Sequence, residues 1–188
     1  MENKQRISTK KIVLTALMAA LTFVGSGLRI KLPVSVMGTA AFHLGNIFCA
    51  LSGILLGPWL GGLAAGIGSM IFDMMDPEYI DECLITFAMK GMYGLVTGLI
   101  VWTGKNREGY GKATLATVAG AVTYAVLYLL KNYFKGIWVK GLAPMASALA
   151  LLAKVPSTVF NAAVAIIFAP MLAAAIRKAL HRNHLTLD

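Results

Sequence analysis

Residues 42–75 read FHLGNIFCALSGILLGPWLGGLAAGIGSMIFDMM, and the fold is decided here. The stretch holds no Lys or Arg, and its one carboxylate, Asp73, stands near the end. Gly57-Pro58 divides it, since proline cannot continue the helix that precedes it. Two apolar segments result, 42–56 and 59–75. They read as two successive membrane spans joined by a tight turn, a span needing roughly 20 apolar residues as helix.

Outward from this pair the same character continues. Apolar runs cover 12–28, 83–103 and 112–134. A longer stretch, 145–176, contains Pro156 and Pro170. A helix begun at Pro156 runs to Ile176 and spans roughly 31 Å at 1.5 Å per residue, enough for a bilayer. Residues 145–153 are then a short outer or re-entrant helix. The alternative is one long kinked helix, and the sequence supports both. Six spans, 12–28, 42–56, 59–75, 83–103, 112–134 and 156–176, account for most of the chain. The fold class is therefore an all-α integral membrane protein, a six-helix bundle forming a single membrane domain over 1–188. A basic tail, 1–11, precedes it and a second tail, 177–188, follows it. Residues 1–28 look like the charged and apolar parts of a signal peptide; the later spans favour a retained first helix.

Composition agrees. The chain has 188 residues, of which 58% are hydrophobic and 13% charged. Soluble domains carry roughly 25% charged residues. That balance excludes disorder and a disulfide scaffold. The net charge of +9 does not signal nucleic acid, because no soluble basic face carries it. Little length remains for a nucleotide-binding domain, so ATP-driven work falls to another chain. Cys49 and Cys83 lie in apolar context without metal-ligand spacing, and no metal site is expected. The sequence has no HExxH, Walker or GxSxG pattern, so no enzyme is expected.

Lys and Arg placement sets orientation. Ten cations fall on the side of the two tails and the 104–112 loop, and five fall on the other. Both termini are accordingly assigned to the cytoplasm. The outer 76–82 loop is acidic and reads as a solvated loop.

Small residues mark close helix packing. Gly62 and Gly66 form a GxxxG, and Gly91, Gly94 and Gly98 line the next span; tight internal packing accounts for them. Ala16 and Ala20 form an AxxxA with Ala19 beside them. The two alanines share one face of the first helix, which suits internal packing or a smooth strip for a partner helix.

Ionisable and amide groups inside a membrane are costly and point to function by default. His43 and Asn46 fall in the first turns of the second span, and Asp73 near the outer end of the third. Lys90 lies roughly 10 Å into the fourth span at helical rise. Tyr128 and Asn132 occupy the last turns of the fifth. Lys154 stands at the mouth of the last helix, with Asn161 roughly 8 Å below it if that helix begins at Pro156. These groups gather in the outer third and leave the inner halves nearly bare. An outward-facing substrate pocket lined by these eight residues is expected. An ion-coupled secondary transporter, the competing reading, needs polar groups across the full thickness.

Three motifs in 42–99 carry a family resemblance: HLGN (43–46), LLGPWLGG (55–62) and MKGMYGLVTG (89–98). With Asp73 and Ala16-xxx-Ala20, they resemble the substrate-binding S components of energy-coupling factor (ECF) vitamin transporters. The resemblance implies a vitamin or precursor bound near the outer face of a prokaryotic plasma membrane. Outer loops close the pocket. It implies no cofactor of the chain's own. It implies partners: a transmembrane coupling subunit docked on Ala16, Ala19 and Ala20, and two cytoplasmic ATPases that use ATP. Within the family the pattern is closest to members handling vitamin B6 or hydroxymethylpyrimidine, with riboflavin and pantothenate open.

Overall fold

The computed structural model describes residues 8–35, 38–104 and 107–183. The elements in order are helix α1 (Thr9–Gly27), strands β1 (Arg29–Ser35) and β2 (Gly38–His43), and helix α2 (Gly45–Met74). A short 3-10 turn (Ile80–Glu82), α3 (Cys83–Trp102), α4 (Tyr110–Trp138), α5 (Pro144–Leu152) and α6 (Val155–Arg182) follow. Among the described residues five helical segments are long and apolar enough to cross a membrane: Thr9–Gly27, Gly45–Met74, Ile80–Trp102, Tyr110–Trp138 and Val155–Arg182. The chain is an all-α membrane protein with a small β appendage.

The decisive turn lies inside α2. Gly57 has φ 82°, a left-handed conformation open to glycine at little steric penalty. A straight helix of 30 residues would separate Cys49 from Ser69 by roughly 30 Å. Instead Cys49 Sγ lies 3.9 Å from Ser69 Oγ, and Ser52 Oγ donates to the Gly61 carbonyl at 2.8 Å. The two halves of α2 therefore lie side by side as a hairpin. Pro58 brings no N–H to the Ile54 carbonyl four residues back. That orphaned oxygen accepts Trp102 Nε1 at 3.3 Å and Arg177 Nη2 at 3.1 Å. The turn is thus knotted to α3 and α6, and the Arg107 guanidinium stacks 4.8 Å from the Trp102 ring.

The hairpin is the core around which the rest packs. Leu51, Ile54, Ala64 and Ala65 of α2 meet Tyr93 and Val101 of α3 and Ala165 and Ala169 of α6, all nearly inaccessible. The glycines serve this packing. A Cβ at Gly94 would lie 2.7 Å from the Gly61 carbonyl oxygen, and one at Gly62 would lie 2.9 Å from the Gly91 carbonyl oxygen. Large apolar side chains point outward instead: Val126 is 50% exposed, Ile167 54% and Trp59 73%. In water such a surface invites aggregation; in lipid it is the ordinary lining.

One boundary differs from the sequence reading, and one open choice is decided. α1 begins at Thr9, so Lys10 and Lys11 belong to its first turn, not to a tail. Lys4, Arg6 and Lys105, used above for orientation, lie outside the described residues. The last stretch is two helices: α5 ends at Leu152 and α6 starts at Val155, with Pro156 in its first turn where no N–H is needed. The clearest addition is the antiparallel pair β1–β2, with Arg29 opposite His43 and Lys31 opposite Ala41.

Candidate functional site

β1 and β2 roof one end of the bundle. Asn161 of α6 grips β2 as a neighbouring strand would: its Oδ1 accepts the His43 backbone N–H at 2.9 Å, and its Nδ2 donates to the Ala41 carbonyl at 2.8 Å. Phe160 meets Phe42 edge-on, with ring centroids 5.1 Å apart. On the other side Arg29 and Lys31 reach the 76–82 loop. Asp76 accepts from Arg29 and, at 2.8 Å, from Lys31, which also meets Glu78 at 2.9 Å. The Arg29 guanidinium stacks 4.3 Å from the Phe72 centroid and 5.1 Å from that of Tyr79. Glu82 takes Lys131 and Lys135 of α4. The acidic loop is thus a keystone between β1 and α4, not a solvated turn. Burial alone would raise the Asp76 carboxyl, but the hydrogen bonds from Lys31 and the Glu78 amide, with the Arg29 charge, hold it below its usual range.

Under this roof lies a cavity. His43, Asp73, Lys90, Tyr128 and Asn161 line it, five of the eight residues singled out in the sequence. Lys90 is 4% exposed; its ammonium donates to Asn46 Oδ1 and sits 4.2 Å from the Tyr124 ring centroid. Asn46 acts through that lysine. Among the described residues no ion pair joins Asp73 to Lys90. Tyr93, Tyr124 and Tyr128 stack in sequence, each neighbouring pair 5.9 Å apart, forming an aromatic ladder beside the lysine.

The remaining predicted residues take different places. His43 is the last residue of β2, not the first turn of a helix, because the strand pair occupies the residues before Gly45. Its Nδ1 is buried without a hydrogen-bond partner among the described residues. Asn132 turns back on its own helix, donating to the Tyr128 carbonyl at 2.8 Å. Lys154 stands behind the cavity wall, 6.0 Å from the Tyr128 ring centroid. Arg29, Tyr79, Glu82, Thr86, Tyr124 and Lys131 also line the cavity and were not anticipated. Tyr124 was discoverable: it precedes Tyr128 by one helical turn and so shares its face. The three alanines line one apolar groove with Leu60, Ile67 and Ile71 of α2; Ala16 and Ala20 are exposed, Ala19 is half-buried, and the Ala19 carbonyl packs against Gly68.

The cavity therefore brings together an ammonium, a carboxylate and a flat aromatic wall. No nucleophile paired with a base stands among the described residues of this cavity. Comparison with known proteins gives a consistent result. The chain is 32% identical over 105 residues to a Pyrococcus woesei protein described as "uncharacterized protein in gap 3'region", a match covering 56% of this chain. It spans 66% of that relative, just under two thirds of its length. A family model described as "ECF-type riboflavin transporter, S component" matches residues 6–178. The chain belongs to this family of membrane-embedded S components, which are parts of transporters and not enzymes.

Proposed function

We propose that the chain is the substrate-binding subunit of an ATP-driven ECF uptake transporter and that its cargo is riboflavin. The observation that carries this reading is the buried Lys90 ammonium set beside the Tyr124–Tyr128 stack in a roofed cavity. A flavin has what such a wall recognises: a flat ring system for the tyrosine faces, ring carbonyls for Lys90, and a polyol chain for Asp73 and the roof residues. The family description moves the weight from hydroxymethylpyrimidine or vitamin B6 to the flavin. His43 and Tyr128 complete the wall, Asn46 holds Lys90, Asn161 holds the roof, and Asn132 and Lys154 support it from behind.

In this reading the chain crosses the bilayer six times, the α2 hairpin supplying two crossings, and both termini are cytoplasmic. The cavity then opens outward. A transmembrane coupling subunit docks on Ala16, Ala19 and Ala20, in the apolar groove between α1 and the second half of α2. Two cytoplasmic ATPases supply the energy, and the chain holds no cofactor of its own. Titration of the purified protein with riboflavin, hydroxymethylpyrimidine, pyridoxine and pantothenate tests the reading. Submicromolar binding of riboflavin with quenching of its fluorescence is expected. Tight binding of another of the four, or of none, overturns the cargo assignment. Uptake by this chain alone in proteoliposomes overturns the subunit assignment.

A further inference from the structure

The end of the bundle opposite the cavity carries a second concave feature. Glu108, Ala174, Arg177, Lys178, His181 and Arg182 line a notch between the end of α6 and the start of α4. Arg177 lies 16 residues beyond Asn161, roughly 24 Å along the helix. We propose that this notch binds the phosphate of an anionic phospholipid headgroup.

Charge is the first ground. Arg177 is half-buried, and its guanidinium is held by neutral acceptors, the Arg107 carbonyl at 2.9 Å and the Ile54 carbonyl at 3.1 Å. Among the described residues no carboxylate lies within ion-pair distance of it. Glu108, the acid at the notch, faces His181 at 3.5 Å. Lys178 and Arg182 add two exposed cations. Glu108 is the one acid lining the notch among the described residues, beyond ion-pair distance of Arg177, and a doubly hydrogen-bonding oxyanion would add the close counter-charge that this half-buried cation lacks. Arg177 is anchored in advance, so binding orders little more.

The second ground selects a lipid over free phosphate. Ile167, Met171, Ala174 and Lys178 follow at helical spacing and share one face of α6. Ile167 and Met171 are 54% and 50% exposed. An apolar track therefore runs from the notch along the helix toward the bilayer interior. Headgroup cations above an acyl-chain track match an amphiphile.

The test uses the full chain in detergent, with native mass spectrometry across titrations of phosphatidylglycerol and phosphatidylcholine. Preferential retention of phosphatidylglycerol is expected, and Lys178→Gln with Arg182→Gln should lower its occupancy about tenfold. Both side chains are exposed, so the double variant keeps its fold, which an unchanged melting temperature checks. Equal retention of the two lipids, or no change in the variant, overturns the proposal. A parallel arm adds inorganic phosphate. Displacement of lipid by millimolar phosphate assigns the notch to the free ion and overturns the lipid.

Discussion

Asn161 on α6 accepts the His43 backbone N–H at 2.9 Å across 118 residues of sequence. One side-chain amide thereby completes the edge of a strand and fastens the roof to the last helix. Removing it leaves an N–H and a carbonyl of β2 without partners, a loss of about 1–3 kcal/mol per buried group. Asn161→Ala is expected to speed hydrogen exchange at Ala41 and His43 while leaving the helices protected. Unchanged exchange in β2 would show that the Phe42–Phe160 contact suffices.

The opposite edge of the roof depends on charge. The Asp76 carboxyl is depressed in the folded protein, so its stabilising effect is complete above the unfolded carboxylate range and is lost as pH falls through the folded value. Lys31 behaves conversely. Burial lowers it, but the bonds to Asp76 and Glu78 prevail and raise it. Its effect is complete below the unfolded lysine value and is lost as pH rises through the higher folded one. The roof should therefore be latched across neutral pH and loosen below about pH 4. Asp76→Asn is expected to reproduce the acid behaviour at pH 7, read as faster exchange in β1.

Lys90 tests the cavity itself. Its ammonium meets Asn46 Oδ1 and the Tyr124 face but, among the described residues, no carboxylate within ion-pair distance, and the proposed ligand would supply a further acceptor. Lys90→Met keeps the stem and removes the donor. A hydrogen bond to a charged group contributes about 1.5–3 kcal/mol, so ligand affinity should fall about ten- to a hundredfold. Calorimetry measures this, and affinity within twofold of the parent would remove Lys90 from the site.

Helix packing gives a sharp contrast between two glycines. A Cβ at Gly94 would lie 2.7 Å from the Gly61 carbonyl oxygen, whereas one at Gly111 meets nothing within 4 Å. Gly94→Ala forces α3 away from the α2 hairpin and should destabilise by about 1–3 kcal/mol. Gly111→Ala, at the start of α4, should be neutral or stabilise by up to about 1 kcal/mol. Thermal unfolding in detergent separates the two.

The membrane character and the α2 hairpin were legible because both rest on local chemistry. Apolar length marks a span, and Gly57-Pro58 combines a left-handed turn with a missing N–H. The polar set was legible by depth only in part: His43, Asp73, Lys90, Tyr128 and Asn161 meet in one cavity, whereas Asn46, Asn132 and Lys154 stand outside its lining. The strand pair was harder. Ile30, Leu32 and Val34 alternate with neighbours over too few residues to outweigh a loop reading, and Pro33 argues against a strand except at an edge. The role of Asn161 was not readable at all, because its partners lie on β2, more than 100 residues away. Nor was the keystone role of 76–82, whose cations come from β1 and from α4.

Under the proposed docking, the alanines of α1 should separate binding from transport. Ala16 and Ala20 are exposed and Ala19 is half-buried, and all three line one apolar groove. Bulk at the first two positions therefore fills the groove beside Phe23 and Leu60 without disturbing the core. Ala16→Trp with Ala20→Trp should leave riboflavin affinity within twofold and abolish ATP-driven uptake by the reconstituted transporter. Loss of ligand binding in the Ala16 and Ala20 variant would mean that the strip serves the chain's own packing, because a surface used only by a partner cannot affect the isolated subunit.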